Sequence, residues 1–321
     1  MDSALSSTTV ADVGEFALID QIQKRLGVVD QTKVSVGIGD DSAVVSAAGN
    51  KAVACLDVLS QGIHFRLDWS SANEIGRKAA AANLADIFAM GANPTALLVG
   101  LALPSTTEVS WVLELADGLA QESARVNTQV VGGDIVSSEK IVISVTALGE
   151  LNGEKPILRS GAKPGDTVAV AGKLGYSAAG LLMLSRGFRS PKALVSAHRA
   201  PEPPYELASK AKSASAMIDV SDGLLADLGH IAKASGVQID VDSSALEIPE
   251  ELSATASAFN ANALDWILTG GEDHAFAATF PTPLDVPSGW KLIGKVHAGT
   301  PGVLLNGQPI ETKGWDHFKT H

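Results

Sequence analysis

Ala216-Met-Ile-Asp-Val-Ser-Asp-Gly-Leu-Leu225 decides the fold class. Ala216 to Val220 reads as a buried strand, Ser221-Asp222-Gly223 as a turn, and the residues after it as a helix to Ala234. A strand passing through a tight turn into a helix is an α/β pattern, and in such folds ligand-facing groups collect where strands end, because a rigid sheet holds the loops there. The pattern repeats upstream. Val34 to Ile38 reads as a short strand entering Gly39-Asp40-Asp41, and Ala52 to Leu56 as a strand entering Asp57. Gln129-Val-Val and Ile141 to Leu148 read as strands separated by Gly132-Gly133-Asp134.

Helices fall between them. Glu15 to Leu26 carries Phe16, Ile19, Ile22 and Leu26 at helical spacing, and Ser71-Ala-Asn-Glu74 is a capping box opening a helix to Met90. Ala96 to Leu103 reads as a strand and Glu108 to Val126 as a helix. Leu151 to Asp166 is then dense in turn dipeptides, which places a domain boundary there, with domains 1–150 and 151–321. Beyond it, Thr167 to Ala171, Val237 to Val241, Ala275 to Phe280 and Lys291 to Val296 read as strands, and Tyr176 to Ser185 as a helix.

Composition agrees with this outline. A chain of 321 residues, 45% of them hydrophobic, supports two cores without staples. Abundant Ala and Gly with few aromatics favours close helix-on-sheet packing and an α/β class. The formal net charge of −12 argues against nucleic acid or anionic membrane as partner. It also repels phosphorylated ligands, so a protein of this charge that handles phosphates needs divalent metal. One cysteine, Cys55, allows no disulfide within the chain, and with no leader-like segment or membrane-length apolar run the expectation is a soluble cytoplasmic protein.

Asp40-Asp41, Asp57, Asp86, Asp134, Asp219 and Asp222 are the candidate site, sitting where strands are expected to end or where a helix face has no evident need of charge. Crowded carboxylates repel one another, and Mg²⁺ removes that penalty while bridging to substrate phosphates. Asp86 shares a helix face with Ala79, Ala82, Asn83 and Met90, small and mostly apolar, so its carboxylate is either metal-linked or caps a neighbouring loop. Asx-turns and helix caps remain open for the others, Asp222 before a helix among them. No P-loop, dinucleotide fingerprint or protein-kinase catalytic loop is present. Gly172-Lys-Leu-Gly175 opens a helix, and either is an ordinary turn or offers amides to an anion.

Taken in order, the motifs resemble the thiamine-monophosphate kinase family, within the superfamily of aminoimidazole ribonucleotide synthetase and selenophosphate synthetase. The matching stretches are Gly14-Glu15-Phe16, Gly37-Ile-Gly-Asp-Asp41, Asp57 to Phe65, Asn83 to Ala92, Gly132-Gly-Asp134, Arg159 to Asp166, Ile218 to Leu224, Gly270-Gly-Glu-Asp273 and Gly314-Trp-Asp-His-Phe318. The resemblance implies a two-domain fold, an N-terminal α/β domain forming the core of a homodimer, and a C-terminal α/β domain completing the active site. It implies transfer of phosphate from ATP to thiamine phosphate by direct in-line attack. Several Mg²⁺ ions are implied at Asp41, Asp57, Asp86, Asp134, Asp219 and Asp222, with Asp41, Asp86 and Asp222 closest to the chemistry. ATP is implied at Gly133, Asp134, Arg159 and Ser221, and the thiamine end at His64, Glu272 and Trp315. Read without the family, Trp315 is an anchor of the chain's end and His64 an ordinary loop histidine. The family usually carries Ser/Thr before the aspartate matching Asp57. Here Cys55 and Leu56 stand there, so a hydroxyl contact is missing or replaced by backbone. Another ATP-using enzyme of the superfamily, or a non-catalytic nucleotide-binding relative, are the alternatives.

Overall fold

A computed structural model describes residues 8–13, 15–27, 34–36, 44–45 and 52–310. The chain divides into two compact units, Met1–Ile87 with Ala92–Glu154, and Phe88–Gly91 with Lys155–His321. No helix among the described residues is long and apolar enough to cross a membrane.

The first unit runs α1 (Val10–Val13), α2 (Glu15–Leu26), β1 (Val34–Val36), β2 (Val44–Val45), β3 (Ala52–Ser60), α3 (Ala72–Ala89), β4 (Asn93–Leu103), α4 (Val109–Ala124), β5 (Val130–Ser137) and β6 (Val142–Glu150). Its main sheet has the order β3-β6-β4-β5, antiparallel except for the β4–β5 pair that α4 connects. The expected Ser71–Glu74 capping box forms: Ser71 N–H donates to Glu74 Oε2 (2.9 Å) and Glu74 N–H to Ser71 Oγ (3.2 Å). Two strands differ from expectation. β3 continues three residues past Asp57, and β5 runs through Gly132-Gly133-Asp134, so neither aspartate ends a strand. Gly133 lies so close to β4 that a Cβ there would sit 1.9 Å from the Val99 carbonyl oxygen, which is why a Gly-Gly pair resembling a turn is paired strand.

Helices α3 and α4 cross at glycine. A Cβ on Gly76 would lie 2.2 Å from the Leu115 carbonyl oxygen, and one on Gly118 2.1 Å from that of Asn73. Nearby, the buried Glu122 carboxylate takes the Arg77 guanidinium of α3 (3.2 Å) and that of Arg125.

The second unit runs β7 (Thr167–Ala171), α5 (Tyr176–Ser185), α6 (Lys192–Arg199), α7 (Tyr205–Ser209), β8 (Ala216–Val220), α8 (Leu224–Ser235), β9 (Gln238–Val241), α9 (Glu250–Phe259), α10 (Ala263–Thr269), β10 (Ala275–Phe280), β11 (Lys291–His297), β12 (Gly302–Leu305) and β13 (Gln308–Pro309). They build a seven-stranded mixed sheet, β13-β12-β9-β11-β7-β10-β8, in which only β9 and β12 run parallel. Its core joins Val168, Val170, Ile218, Val220, Ile239 and Ile293 of the sheet to Ala179 of α5 and Leu224, Leu228 and Ile231 of α8. β7, β8 and β10 are buried along their length, which accounts for their mostly apolar runs.

The Gly172–Gly175 turn is an ordinary strand-to-helix connection and not an anion cradle. The buried Asp273 carboxyl group accepts from Gly175 N–H (2.6 Å) and Ser177 N–H (2.7 Å), so the amides at the start of α5 are already taken by an acceptor from the chain itself.

Two outcomes follow from this packing. Alanine is ordinarily favoured over glycine in a helix by about 1 kcal/mol. Gly118→Ala instead forces a methyl into the Asn73 carbonyl and is expected to cost about 2 kcal/mol or more. Urea midpoints measure this, and an unchanged or raised midpoint would refute the close crossing. The second concerns Asp273, whose carboxyl burial pushes up to about 7 although the two N–H groups pull it down. Its ordinary value is 3.8, so the folded protein holds this proton more tightly than the unfolded chain does. The stabilisation from that proton is complete below the ordinary value and is lost as pH rises through about 7. The stability of wild type relative to Asp273→Asn is therefore expected to fall across that window. A pH-independent difference would contradict it.

Candidate active site

Asp57 and Asp86, in the first unit, both lie close enough to Cys55 to act on its thiol. Asn83 ties α3 to β3 here: its Oδ1 accepts the Asp57 N–H (3.0 Å), while its Nδ2 donates to the Ala79 carbonyl one turn back (3.0 Å). Asp86, three residues on, shares that helix face. Cys55 points the same way as Asp57 by strand alternation, and its Sγ donates to the Asn83 carbonyl (3.3 Å). Burial first, then the charges of Asp86 and Asp57, push the Cys55 thiol well above its ordinary range. It is a neutral neighbour of the carboxylate pair and not a nucleophile. Leu56, the other departure from the family pattern, points to the opposite face and is 57% exposed.

His64 lies in the turn after β3. Its Nδ1 accepts the Ser60 N–H (3.0 Å), and the buried Lys78 ammonium donates to its carbonyl (3.1 Å). With Nδ1 accepting, the neutral ring carries its proton on Nε2, a single donor on a fixed loop.

Gly133 and Asp134 are exposed on β5, at the other edge of the sheet. Register partners run Asp57–Val145–Val99–Gly133 in one row and Val58–Ser144–Gly100–Asp134 in the next. Asp134 therefore shares a face with Val58, opposite to Asp57, and three strand spacings, about 14 Å, separate the two edges. The sheet does not bring Asp134 to the Asp57–Asp86 pair.

In the second unit Asp219, Ser221, Asp222 and Glu272 come together. Asp219 is buried in β8, with His274 Nδ1 3.0 Å from its Oδ2. Ser221 and Asp222 form the turn that follows. The Gly270–His274 segment runs beside them, Glu272 N–H donating to the Ser221 carbonyl (2.8 Å) and His274 N–H to that of Val220 (3.0 Å). Gly223 takes φ +115°, and a Cβ there would meet the Thr269 carbonyl oxygen at 2.7 Å. Buried Asp227, one turn into α8, reaches back so that its Oδ2 accepts from Asp222 N–H and Gly223 N–H, each at 3.1 Å. Burial, then the charges of Asp219 and Asp222, raise its carboxyl to about 8. Among the described residues, Asp222, Asp227 and His230 present donor atoms all within 4.8 Å of one another. The two carboxylates of this group are hard oxygen donors of the kind that fit a divalent cation such as Mg²⁺, while His230 offers a nitrogen.

Arg159 stands apart. Its carbonyl accepts from Ser235 Oγ (2.8 Å) at the last residue of α8. A helix of that length puts about 18 Å between its backbone and Asp222. Asp41 and Trp315 lie outside the described residues. Asn83, Asp227, Asp273 and His274 were not singled out from the sequence. Asn83, Asp273 and His274 stand in or beside motifs already quoted, and Asp227 four residues after Gly223 carried the one local signal, a carboxylate spaced to reach back over a helix start.

With the geometry in place, the relatives can be set beside it. Residues 39–151 match the model of the AIR synthase related protein, N-terminal domain, and 163–278 that of the C-terminal domain. A thiamine-monophosphate kinase of Mycobacterium tuberculosis is 46% identical over 319 residues, 98% of this chain and 95% of the relative. The crystal structure of the thiamine-monophosphate kinase of Stenotrophomonas maltophilia K279a superposes with a TM-score of 0.80 at 32% identity, covering 93% of this chain and 98% of that one. AaThiL complexed with AMPPCP and TMP superposes with a TM-score of 0.79 at 36% identity, covering 96% and 98%. On family models spanning most of its length and on relatives matched nearly end to end, this chain belongs to the thiamine-monophosphate kinase family of AIR synthase related proteins.

Proposed function

We propose that this protein transfers the γ-phosphoryl group of ATP to thiamine monophosphate, giving thiamine diphosphate and ADP, in the cytoplasm and with Mg²⁺. The observation that carries the reading is that each unit gathers its own aspartates, Asp57 with Asp86 and Asp219 with Asp222, in a chain 46% identical to a thiamine-monophosphate kinase.

In this reading several Mg²⁺ ions are held by Asp41, Asp57, Asp86, Asp134, Asp219 and Asp222, Asp134 serving a position apart from the Asp57–Asp86 pair, with Asp41, Asp86 and Asp222 nearest the transferred group. Bound there, Mg²⁺ supplies charge neutralisation and alignment for two polyanions on an acidic protein. An oxygen of the acceptor phosphate attacks the γ-phosphorus in line, the bond to the β–γ bridging oxygen breaks, and ADP leaves with that electron pair. A phosphate monoester, with a second pKa of about 6, is already largely ionised at neutral pH, so the step needs no strong base. The residues' work is to bind and orient. Gly133, Asp134, Arg159 and Ser221 approach ATP. His64 approaches the thiamine end, Glu272 offsets the thiazolium charge, and Trp315 stacks on the heteroaromatic ring. The first domain, 1–150, carries ATP, metal and the dimer contact, and the second, 151–321, completes the site.

A homodimer is part of the proposal. Leu56, Val58 and Val136 are 57%, 44% and 52% exposed, the first two on the sheet face that α3 leaves uncovered. A solvated apolar sheet face of this kind is explained when a second copy covers it.

Incubation with ATP, Mg²⁺ and thiamine monophosphate is expected to yield ADP and thiamine diphosphate, and chelation to abolish the yield. Turnover only with a different acceptor, or after complete chelation, would overturn the reading. Asp86→Asn keeps the size and removes the charge, so it is expected to stay folded and lose turnover by roughly a hundredfold or more. Near-normal turnover at an unchanged melting temperature would remove Asp86 from the site. Light scattering is expected to give a dimer mass for wild type and a monomer mass for Leu56→Glu. A monomeric wild type would count against the shared face.

A further inference from the structure

Asp219 lies in β8 opposite Phe276 of β10 and is only 4% exposed. A carboxylate in such a place costs several kcal/mol unless something pairs with it. The His274 ring, 6% exposed, presents Nδ1 3.0 Å from Asp219 Oδ2. A carboxylate that binds a cation only accepts, so in that state the hydrogen of this bond sits on Nδ1. One oxygen of Asp219 is thereby committed to the imidazole, and Oδ1 remains to take another ligand.

The chain places this imidazole at a cost. His274 has φ +50° and Glu272 φ +65°, left-handed backbone that costs a non-glycine residue about 1 kcal/mol or more each. Both are held by backbone bonds to the strand end that carries Asp219, His274 N–H to Val220 and Glu272 N–H to Ser221. Neutralising a buried charge does not need such a backbone. Fixing the direction of one carboxylate, two and three residues before Ser221 and Asp222, does need a short, rigid donor.

We propose that His274 is a positioning residue whose Nδ1–H holds the Asp219 carboxylate in the orientation that takes a divalent cation, in the manner of the donors that orient metal ligands from behind. This rests on the reading of Asp219 as a metal ligand. The test is Mn²⁺ binding, followed by electron paramagnetic resonance on the full chain without nucleotide, in wild type, His274→Phe, His274→Asn, Asp219→Asn and the double variant His274→Phe/Asp219→Asn. His274→Phe keeps a ring and removes the donor. His274→Asn keeps a donor near Nδ1 and tolerates positive φ. His274→Phe is expected to weaken the Asp219-dependent class of sites roughly tenfold or more. His274→Asn is expected to retain most of that affinity, and the His274→Phe loss to vanish in the Asp219→Asn background. Wild-type Mn²⁺ affinity in His274→Phe, with Asp219→Asn impaired, would overturn the positioning role alone. So would a His274→Phe loss that persists undiminished without Asp219, which marks a merely structural ring. Wild-type binding in Asp219→Asn would instead overturn the metal reading of Asp219, and this inference with it.

Discussion

The burial of carboxyl groups is the constraint on which the second unit depends. Asp219, Asp227 and Asp273 are all buried at the loop end of one sheet, and the interior cannot solvate them. Each is matched by a specific donor: the His274 imidazole for Asp219, the amides of Asp222 and Gly223 for Asp227, and those of Gly175 and Ser177 for Asp273. Because the matched donors belong to loops, the same bonds that make burial tolerable also fix where those loops run. The Ser221–Gly223 turn, the Gly270–His274 segment and the start of α5 are thus one hydrogen-bonded body, and Asp222 and Glu272 are displayed from it.

The first unit meets a similar problem with less burial. Asp57 and Asp86 are half-buried, and both raise the Cys55 thiol, the mark of a negative local field. A chain of net charge −12 that concentrates carboxylates in both units gains no stability from the arrangement. In the proposed function its physical sense is ligation, since a divalent cation would turn mutual repulsion into shared attraction and present positive charge to phosphates. That is the link between an acidic composition and a phosphorylated substrate.

Much of the fold was legible because local and tertiary signals agreed. Glu15–Leu26, Thr167–Ala171, Tyr176–Ser185, Ala216–Val220 and Ala275–Phe280 coincide with the elements the sequence predicts. Periodicity, caps and buried apolar runs are properties of a short window of chain. Where the deciding contact was distant, the reading failed. Gly132-Gly133 has the composition of a turn, and only the approach of the Val99 carbonyl makes it strand. The strand through Asp57 does not stop at the charge: β6 pairs with it as far as Ser60, and the Asn83 amide oxygen, 26 residues away, receives the Asp57 N–H. α6, α7, α9 and α10 were not read from the sequence; they are short, and their apolar stripes are only a turn or two long. In the candidate site, the motifs drew attention to Asp57, Asp86, Asp219 and Asp222, which the structure places in two groups, one in each unit. The groups that hold Asp219 and Asp222, His274 and Asp227, were not legible in the sequence, because their role is defined by a partner across a helix start or a sheet register.

The scarcity of aromatics and the abundance of small residues also bear on the site. α3 must lie close to the sheet for Asn83 to reach Asp57 and for Asp86 to stand beside it. Its contact face is accordingly small, with Ala79 and Ala82 beside Asn83, and where Ile87 meets β6 the sheet gives way, since a Cβ on Gly149 would come within 2.6 Å of it. On its other side α3 is pressed by α4 at the Gly76–Gly118 crossing. A larger side chain at any of these points lifts the helix by a fraction of the 3.0 Å bond that ties Asn83 to β3, and the bond weakens steeply with distance. Small residues in the packing layer, far from any ligand, thus set the spacing of the two carboxylates, which is how a composition bias becomes a property of the site.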